Sequence, residues 1–383
     1  MGMGRTIHFY WSKLNPQRLT AARELRGLTK KALADLIGKT SSAITQFEAG
    51  TSGLDIQTFE AIVDVLRLPP AFFILQEGYS LNLGTCHFRA KRNVSQTLRR
   101  QAIGYAGRVL NIFWTLEKMG VQFPESNFAT MQVSPDYSPN EIDDAATFTR
   151  KSWGLGLGPI SNMAQLLESR GVFIVLLPDE YEGIDAFSDW VTDERPCIVA
   201  VGGSRPSRLQ FDYGHELAHL LFHKDIPTGE RETERIANRF SGAFLMPSAT
   251  FGKYCPAIWS LRSFLDVKRE WFVSIQAAMY RARELGILSE RIHQRGMVYL
   301  YERQLHNSEP GEFNSPYPLM LAEALELVVG EITLADLAED IGVDAAELEK
   351  ILLVQQVPQS LIEKFKPKPV RAKVIRFIPR STS

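Results

Sequence analysis

Residues 15–74 alternate apolar positions with helix breakers in a pattern that predicts four short helices. Within each helix, apolar side chains recur every three or four residues, so one face of the helix is buried. The first helix begins at Pro16. The second is capped by Thr29 and ends at Gly38, and the third is capped by Thr40 or Ser41 and ends at Gly50. The fourth runs from Ile56 to Leu66 and ends before Pro69. Four helices in about sixty residues predict a compact all-α module.

The pattern changes along the rest of the chain. A 3.6-residue period over residues 94–119 predicts one long amphipathic helix. From residue 138, helical stretches alternate with the β-branched runs 172–177 and 196–201, which predict strands and an α+β arrangement. The 196–201 run precedes two glycines; it is either an edge strand that a substrate backbone joins or part of the core. Residues 210–246 and those beyond 260 return to helical patterns.

We therefore expect a multidomain, mainly α chain with one small α+β domain. The boundaries follow the shifts in composition and pattern. The four regions are an all-α domain at 1–80, a basic segment and linker helix at 81–135, the α+β domain at 136–255, and a mainly helical C-terminal region with a basic tail at 256–383.

Composition narrows the class of protein. The chain has 383 residues, 45% of them hydrophobic, which is typical of a globular protein. Its formal charge of −1 excludes a nucleic-acid-binding protein whose whole surface is basic. Its three cysteines are scattered and suit neither a disulfide framework nor a CxxC metal site. No window approaches the ~18 apolar residues of a membrane span. We expect a cytoplasmic protein with no membrane partner.

Positive charge is concentrated at the start of the chain. Residues 1–48 hold eight Lys or Arg against three acids, and residues 81–110 hold six against none. In contrast, residues 332–351 repeat the order of cap, apolar residues and glycine seen in residues 29–38, but their charged side chains are mostly acidic. Phosphates would repel that second segment, so we expect it to serve packing or protein contact.

The second and third helices have the layout of a helix-turn-helix, with 41–49 as the recognition helix. Ile44 and Phe47 would face the bundle, while small polar side chains on the other face suit base edges. An ordinary helical bundle with a solvated basic face is the alternative. The candidate DNA contacts are Lys30, Lys31, Lys39, Ser41, Ser42, Thr45 and Gln46, with Arg18 as a further phosphate contact.

Residues 215–219 have the sequence HExxH. On a helix, His215 and His219 lie on one face a turn apart, so both imidazoles can bind one zinc ion while Glu216 acts as general base. The alternative is a helix whose histidines and glutamate only cap or solvate ordinary packing. A catalytic zinc needs a third protein ligand. Glu234, which opens an amphipathic run, is the favoured candidate, and Glu232 is the fallback.

Two residues near the motif are candidates for supporting roles. His223 lies a further turn along the same face, which favours contact with a ligand histidine, or a place at the edge of the core, over direct metal binding. Tyr213 is either an oxyanion donor or a buried residue of the turn into the helix.

Two stretches resemble known families. The run from Thr29 to Gly38, followed by residues 42–50 with Glu-x-Gly at the end, resembles the lambda/Cro-type (XRE) repressor fold over about sixty residues. The family usually has Gln where this chain has Lys30, so a contact made by that Gln does not carry over. XRE domains often dimerise on palindromes, so a homodimer on double-stranded DNA is an expectation.

The second resemblance covers approximately residues 138–250. FDYGHELAHLLFH, followed by ERIANRF and FLMP, resembles the ImmA/IrrE family of zinc metallopeptidases. The resemblance implies that His215, His219 and Glu234 are zinc ligands and Glu216 the base. It also implies a protein substrate, such as an XRE-type repressor cut in stress or phage-related regulation. The rival function is a non-catalytic repressor or antitoxin whose metal domain is a sensor or scaffold.

Overall fold

The computed structural model describes residues 3–75, 78–81, 86–90, 94–126, 137–224 and 231–366. Its N-terminal module contains the four predicted helices and, before them, a helix that the sequence pattern did not predict. A short 3-10 helix, Pro70–Ile74, follows. The α-helices of this module are α1 (Met3–Ser12), α2 (Pro16–Leu25), α3 (Lys30–Leu36), α4 (Ser41–Glu48) and α5 (Ile56–Leu66).

Local capping interactions define these helices. The side chain of Thr29 accepts a hydrogen bond from the Ala32 amide, and that of Thr40 accepts one from the Ala43 amide, each satisfying an otherwise unpaired donor. Thr40, rather than Ser41, is therefore the cap of α4. The buried Arg23 guanidinium bonds both carboxylate oxygens of Glu48, which ties α2 to the end of α4.

A four-stranded sheet lies at the centre of the α+β part. Its order is β1-β3-β4-β2, with β2 parallel to β4 and the other pairs antiparallel. The runs predicted as strands are β2 and β4, whereas the pattern did not predict β1 or β3, because neither is a continuous apolar run. The strands are β1 (His87–Ala90), β2 (Phe173–Leu177), β3 (Ile184–Thr192) and β4 (Arg195–Val201).

The position of β4 decides an alternative left open by the sequence. This strand pairs with β3 on one side and β2 on the other, so it is an interior strand. Its run of buried apolar residues reflects coverage on both faces of the sheet. An edge role for residues 196–201 is therefore wrong, and the sheet ends at β1 and β2.

The helices of the α+β part cover the sheet on both faces. Ile174, Ala186 and Ile198 face one hydrophobic core, and the alternating residues Phe173, Phe187 and Val199 face the other. The covering helices are α6 (Gln96–Lys118), α7 (Pro139–Ser152), α8 (Met163–Glu168), α9 (Pro206–Phe222) and α10 (Arg231–Leu245). The predicted long helix at 94–119 is thus α6, and it packs on the face opposite to α9.

The C-terminal helices divide between the same two cores. The first four share the core of α9 and α10, and the last four share the core of α6. The domain boundary after residue 255 stays a prediction, and the basic tail from residue 367 lies outside the described residues. The helices are α11 (Ser248–Tyr254), α12 (Leu261–Trp271), α13 (Ile275–Glu284), α14 (Glu290–Glu302), α15 (Met320–Leu327), α16 (Leu334–Ile341), α17 (Ala345–Val354) and α18 (Gln359–Ile362).

The acidic segment at 332–351 forms α16 and α17, which pack in the core that contains α6. Tyr10 of α1 donates a hydrogen bond to Glu339 of α16, so the same segment also touches the N-terminal module. These contacts agree with a packing role. In the part of the chain that the structure describes, no helix has the length and apolarity needed to cross a membrane.

On the outer side of β2, the backbone N–H and C=O groups of Leu176 form hydrogen bonds with a side chain. The buried Gln355 amide donates to the Leu176 carbonyl oxygen at 2.7 Å and accepts from the Leu176 amide at 2.8 Å, as a neighbouring strand would. Gln355→Ala should lower the free energy of unfolding by about 2–4 kcal/mol, because it leaves two buried backbone groups unsatisfied. Urea denaturation measures this, with the exposed Gln359→Ala as a matched control expected within about 0.5 kcal/mol of wild type.

Candidate metal centre and DNA-facing helix

The two helices that carry the candidate metal ligands pack unusually closely. A Cβ atom on Gly214 would lie 2.6 Å from the Ser241 hydroxyl oxygen, so a larger residue at this point of α9 would displace that hydroxyl. The Ser241 hydroxyl donates to the Phe211 carbonyl oxygen at 2.8 Å and fixes α10 against α9. Ser241 thus links the two helices.

Three side chains converge between α9 and α10. The Nε2 atoms of His215 and His219 are 3.0 Å apart, and they lie 3.3 and 3.5 Å from the Glu234 carboxylate oxygens. Ligands held 2.0–2.1 Å from a tetrahedral zinc ion are about 3.3 Å from one another. The donor set of two imidazoles and one carboxylate therefore fits a zinc ion in both chemistry and spacing, with a fourth position for water.

The electrostatic environment also suits a cation. Both histidines are fully buried, whereas the Glu234 side chain is about one-third exposed. Burial opposes ionisation of Glu234, but hydrogen bonds and charge interactions with His215 and His219 outweigh it and hold the pKa of this carboxyl well below its ordinary value. Glu234 is therefore anionic over the whole physiological range.

Further side chains orient the candidate ligands. The Nδ1 atom of His215 lies 3.1 Å from the Asn238 amide oxygen, an arrangement in which His215 donates and its Nε2 is left as an acceptor for a metal. The Nδ1 atom of His219 lies 2.9 Å from Nδ1 of His223. His223 thus contacts a candidate ligand, as predicted for a residue one turn further along the helix, and it lies outside the converging group.

Glu216 points from α9 toward the sheet. It is fully buried, and its Oε2 atom accepts a hydrogen bond of 2.6 Å from the hydroxyl of Ser188 on β3. Its neighbours His215 and Leu217 face α10 and the core respectively, as the helical rotation of 100° per residue requires. Ser188 therefore fixes the orientation of the carboxylate of the proposed base.

The remaining candidates of this region lie elsewhere. Glu232, the fallback ligand, pairs with Arg235 at the surface. Among the described residues, it is not part of the group that converges with the two histidines. Tyr213 is fully buried in the core of α9, where burial raises the pKa of its hydroxyl far above the ordinary value. Tyr213 is thus buried, as its alternative predicted, but it lies within α9 and not in the turn before that helix.

The DNA-binding candidates lie at the surface of the N-terminal module. Ile44 and Phe47 are buried, while the exposed face of α4 presents four polar side chains. Lys30 is 3.5 Å from Glu48 and Lys39 is 3.6 Å from Asp55, so two of the three lysines have acidic neighbours. The exposed candidates are Lys31, Lys39, Ser41, Ser42, Thr45 and Gln46.

Sequence reasoning missed two residues that contact the candidate centre. Asn238 lies four residues after Glu234, one helical turn away on the same face, so helical spacing was the available signal. Ser188 had no such signal, because its approach to Glu216 depends on how β3 packs against α9. Both contacts join residues more than twenty positions apart in the chain.

Two stretches of the chain match the models of known families. Residues 19–73 match the model of a helix-turn-helix family, and residues 167–283 match the model of the M78 peptidase family, described as an IrrE N-terminal-like domain. The comparison with curated proteins found no match. The second match extends through α9, α10 and most of α13. The chain thus joins an XRE-type helix-turn-helix DNA-binding domain to an ImmA/IrrE-type peptidase-family domain.

Proposed function

We propose that this protein is a DNA-binding transcriptional regulator whose second domain is a zinc-dependent endopeptidase that cleaves a repressor-type protein. The observation that supports it best is the convergence of His215, His219 and Glu234, with the buried Glu216 directly after the first of them in the chain. Two neutral imidazoles and one carboxylate are a donor set typical of catalytic rather than structural zinc. A purely structural site has no need of a carboxylate next to its first ligand.

The chain's own residues divide the chemical work. His215, His219 and Glu234 would hold the ion, while Asn238 and His223 contact the two rings and keep them in orientation. When bound, zinc lowers the pKa of a coordinated water toward ~7 and polarises a peptide carbonyl. Glu216 accepts the proton of the attacking water and later donates it to the leaving amine nitrogen, so one carboxylate serves as base and then as acid.

The peptidase proposal is tested by a search for cut proteins. Cells that express the full-length protein are compared with cells that lack it, and new protein N-termini are identified by mass spectrometry. We expect a cut XRE-type repressor whose fragments also form with the purified zinc-loaded protein and disappear with a chelator. If every repressor remains intact, both in cells and with the purified protein, the result would favour the non-catalytic sensor or scaffold.

The DNA-binding proposal can be tested independently of the peptidase proposal. Gln46→Ala on the exposed face of α4 should reduce discrimination between operator and random duplex by about 1–3 kcal/mol, because it removes a base contact. Lys31→Ala should weaken all duplexes alike and reduce the salt slope by about 1, because it removes a phosphate contact. Fluorescence anisotropy at several salt concentrations measures both.

The control for this experiment is Gln294→Ala, an exposed glutamine on α14. It should bind operator and random duplex like wild type. Chelation of zinc should also leave DNA binding unchanged, because the buried side of α4 packs in a hydrophobic core separate from that of α9 and α10. Operator binding that survives removal of residues 1–80 would contradict the assignment of the DNA-binding domain.

A further inference from the structure

A cavity of about 620 Å³ lies between α9, α10 and α13, and the proposed chemistry does not use it. On α9 it is lined by Phe211, one turn before His215, and on α10 by Asn238, one turn after Glu234. Its volume is in the range of small-molecule sites, which is about 300–1,000 Å³. The cavity therefore adjoins the candidate metal centre along both of the helices that build it.

The cavity lies behind the candidate ligand His215. The Nδ1 atom of that ring faces Asn238, which lines the cavity, while the Nε2 atom faces His219 and Glu234. The two ring nitrogens point in different directions, so Asn238 connects the cavity wall to the side of the ring that a metal does not use. Asn238 is thus the link between the cavity and the centre.

Arginine side chains dominate the polar lining. Four of the five lining arginines have a carboxylate within 4 Å: Arg208 has Asp185, Arg235 has Glu232, and Arg239 and Arg281 both have Asp143. The lining acids are likewise matched by cations. Asp212 pairs with Arg208, Glu284 with Arg239 and Arg281, and Glu309 with Lys268.

Arg205 is the exception. Its Nη2 atom donates to the His306 carbonyl oxygen at 3.3 Å, and its Nη1 atom is buried with no hydrogen-bond partner. Among the described residues it makes no ion pair. The Arg205 side chain as a whole is half-buried, and a carboxylate or phosphate oxygen binds an arginine without an ion pair more strongly than a neutral acceptor does. The aromatic rings of Phe211 and Tyr280 contribute apolar surface to the same cavity.

We infer that this cavity binds a small organic anion, with its carboxylate or phosphate on Arg205 and its apolar body near Phe211 and Tyr280, and that the occupant is coupled to the metal centre through Asn238. The binding stands independently of the proposed peptidase activity, whereas the coupling rests on the proposed metal site. By linkage, an anion that alters the hold of Asn238 on His215 changes zinc affinity, and zinc changes anion affinity by the same factor.

Isothermal titration calorimetry with full-length protein tests the binding. The probes are AMP against adenosine and 3-phenylpropionate against 3-phenylpropanol, pairs that differ in the anionic group. We expect at least one anion to bind and its neutral partner to bind at least ~10-fold more weakly, since hydrogen bonds to charged groups carry that much affinity. No heat from either anion at millimolar concentration, or equal binding of both members of a pair, overturns the inference.

Variants locate the site. Arg205→Gln should weaken the anion at least ~10-fold, and Arg205→Lys, which keeps the charge, should restore part of the loss. Arg291→Gln removes an exposed arginine of α14 outside the cavity and should stay within about twofold of wild type. Thermal melting of each variant verifies folding. Undiminished binding by Arg205→Gln places any anion site elsewhere and overturns the assignment.

The coupling is measured with zinc-loaded and zinc-free protein. We expect the anion's dissociation constant to differ at least ~5-fold between them, a typical lower bound for allosteric coupling, and Asn238→Ala to abolish the difference. Equal affinities in wild type overturn the coupling and leave the cavity as an independent site. Failure to retain zinc at all, by contrast, contradicts the proposed function and leaves anion binding by Arg205 standing.

Discussion

Glu216→Gln is expected to reduce cleavage of the protein substrate by about 10²–10⁴-fold, the usual contribution of a general acid–base group. The amide keeps the shape of the side chain and can still accept the hydrogen bond from Ser188, but it cannot take a proton from water. Zinc content and operator affinity should remain at wild-type values. The measurement is the rate at which purified variant and wild type cut the substrate identified by its new N-termini.

Glu232→Gln is the matched control for this prediction. It makes the same chemical change on an exposed side chain of α10 that pairs only with Arg235 among the described contacts. Its cleavage rate should stay within about twofold of wild type. If Glu216→Gln cuts the substrate as fast as Glu232→Gln does, Glu216 is not the base, and the proposed mechanism fails.

Loss of any one of His215, His219 or Glu234 is expected to have the largest effect on metal binding. Alanine at one position leaves two protein ligands, so zinc occupancy should fall below about a tenth under conditions that saturate wild type. The stabilisation that zinc gives the folded protein, about 2.7 kcal/mol at a hundredfold excess over its dissociation constant, should disappear with it. Metal analysis of untagged protein and melting curves with and without zinc measure the two effects.

Two variants sharpen this experiment. Glu232→Ala should retain one zinc per chain, because its carboxylate lies with Arg235 at the surface and not with the histidines. Glu216→Gln should retain it as well, because that side chain contacts Ser188 rather than the converging group. Full occupancy in Glu234→Ala together with loss in Glu232→Ala would show that the third ligand is misassigned.

The predictable parts of the molecule depend on contacts between near neighbours in the chain. Thr29 bonds the amide three residues ahead, so its capping role follows from the local sequence, which also limits the cap of α4 to Thr40 or its neighbour Ser41. The helical period likewise brings His215, His219 and His223 onto one face. Helix boundaries and the relation of residues one turn apart were therefore accessible without tertiary information.

Packing between distant segments decided the rest. Glu232 and Glu234 are two residues apart and point about 200° apart around α10, so only the docking of α10 on α9 determines which of them meets the histidines. Ser188 reaches Glu216, and Gln355 completes the outer side of β2, across 28 and 179 residues of chain. The sequence by itself determined the helix-turn-helix, the HExxH face and the local caps. The tertiary structure decided which glutamate meets the histidines, which residues contact His215 and Glu216, and the interior place of β4, because each depends on long-range packing that no local period encodes.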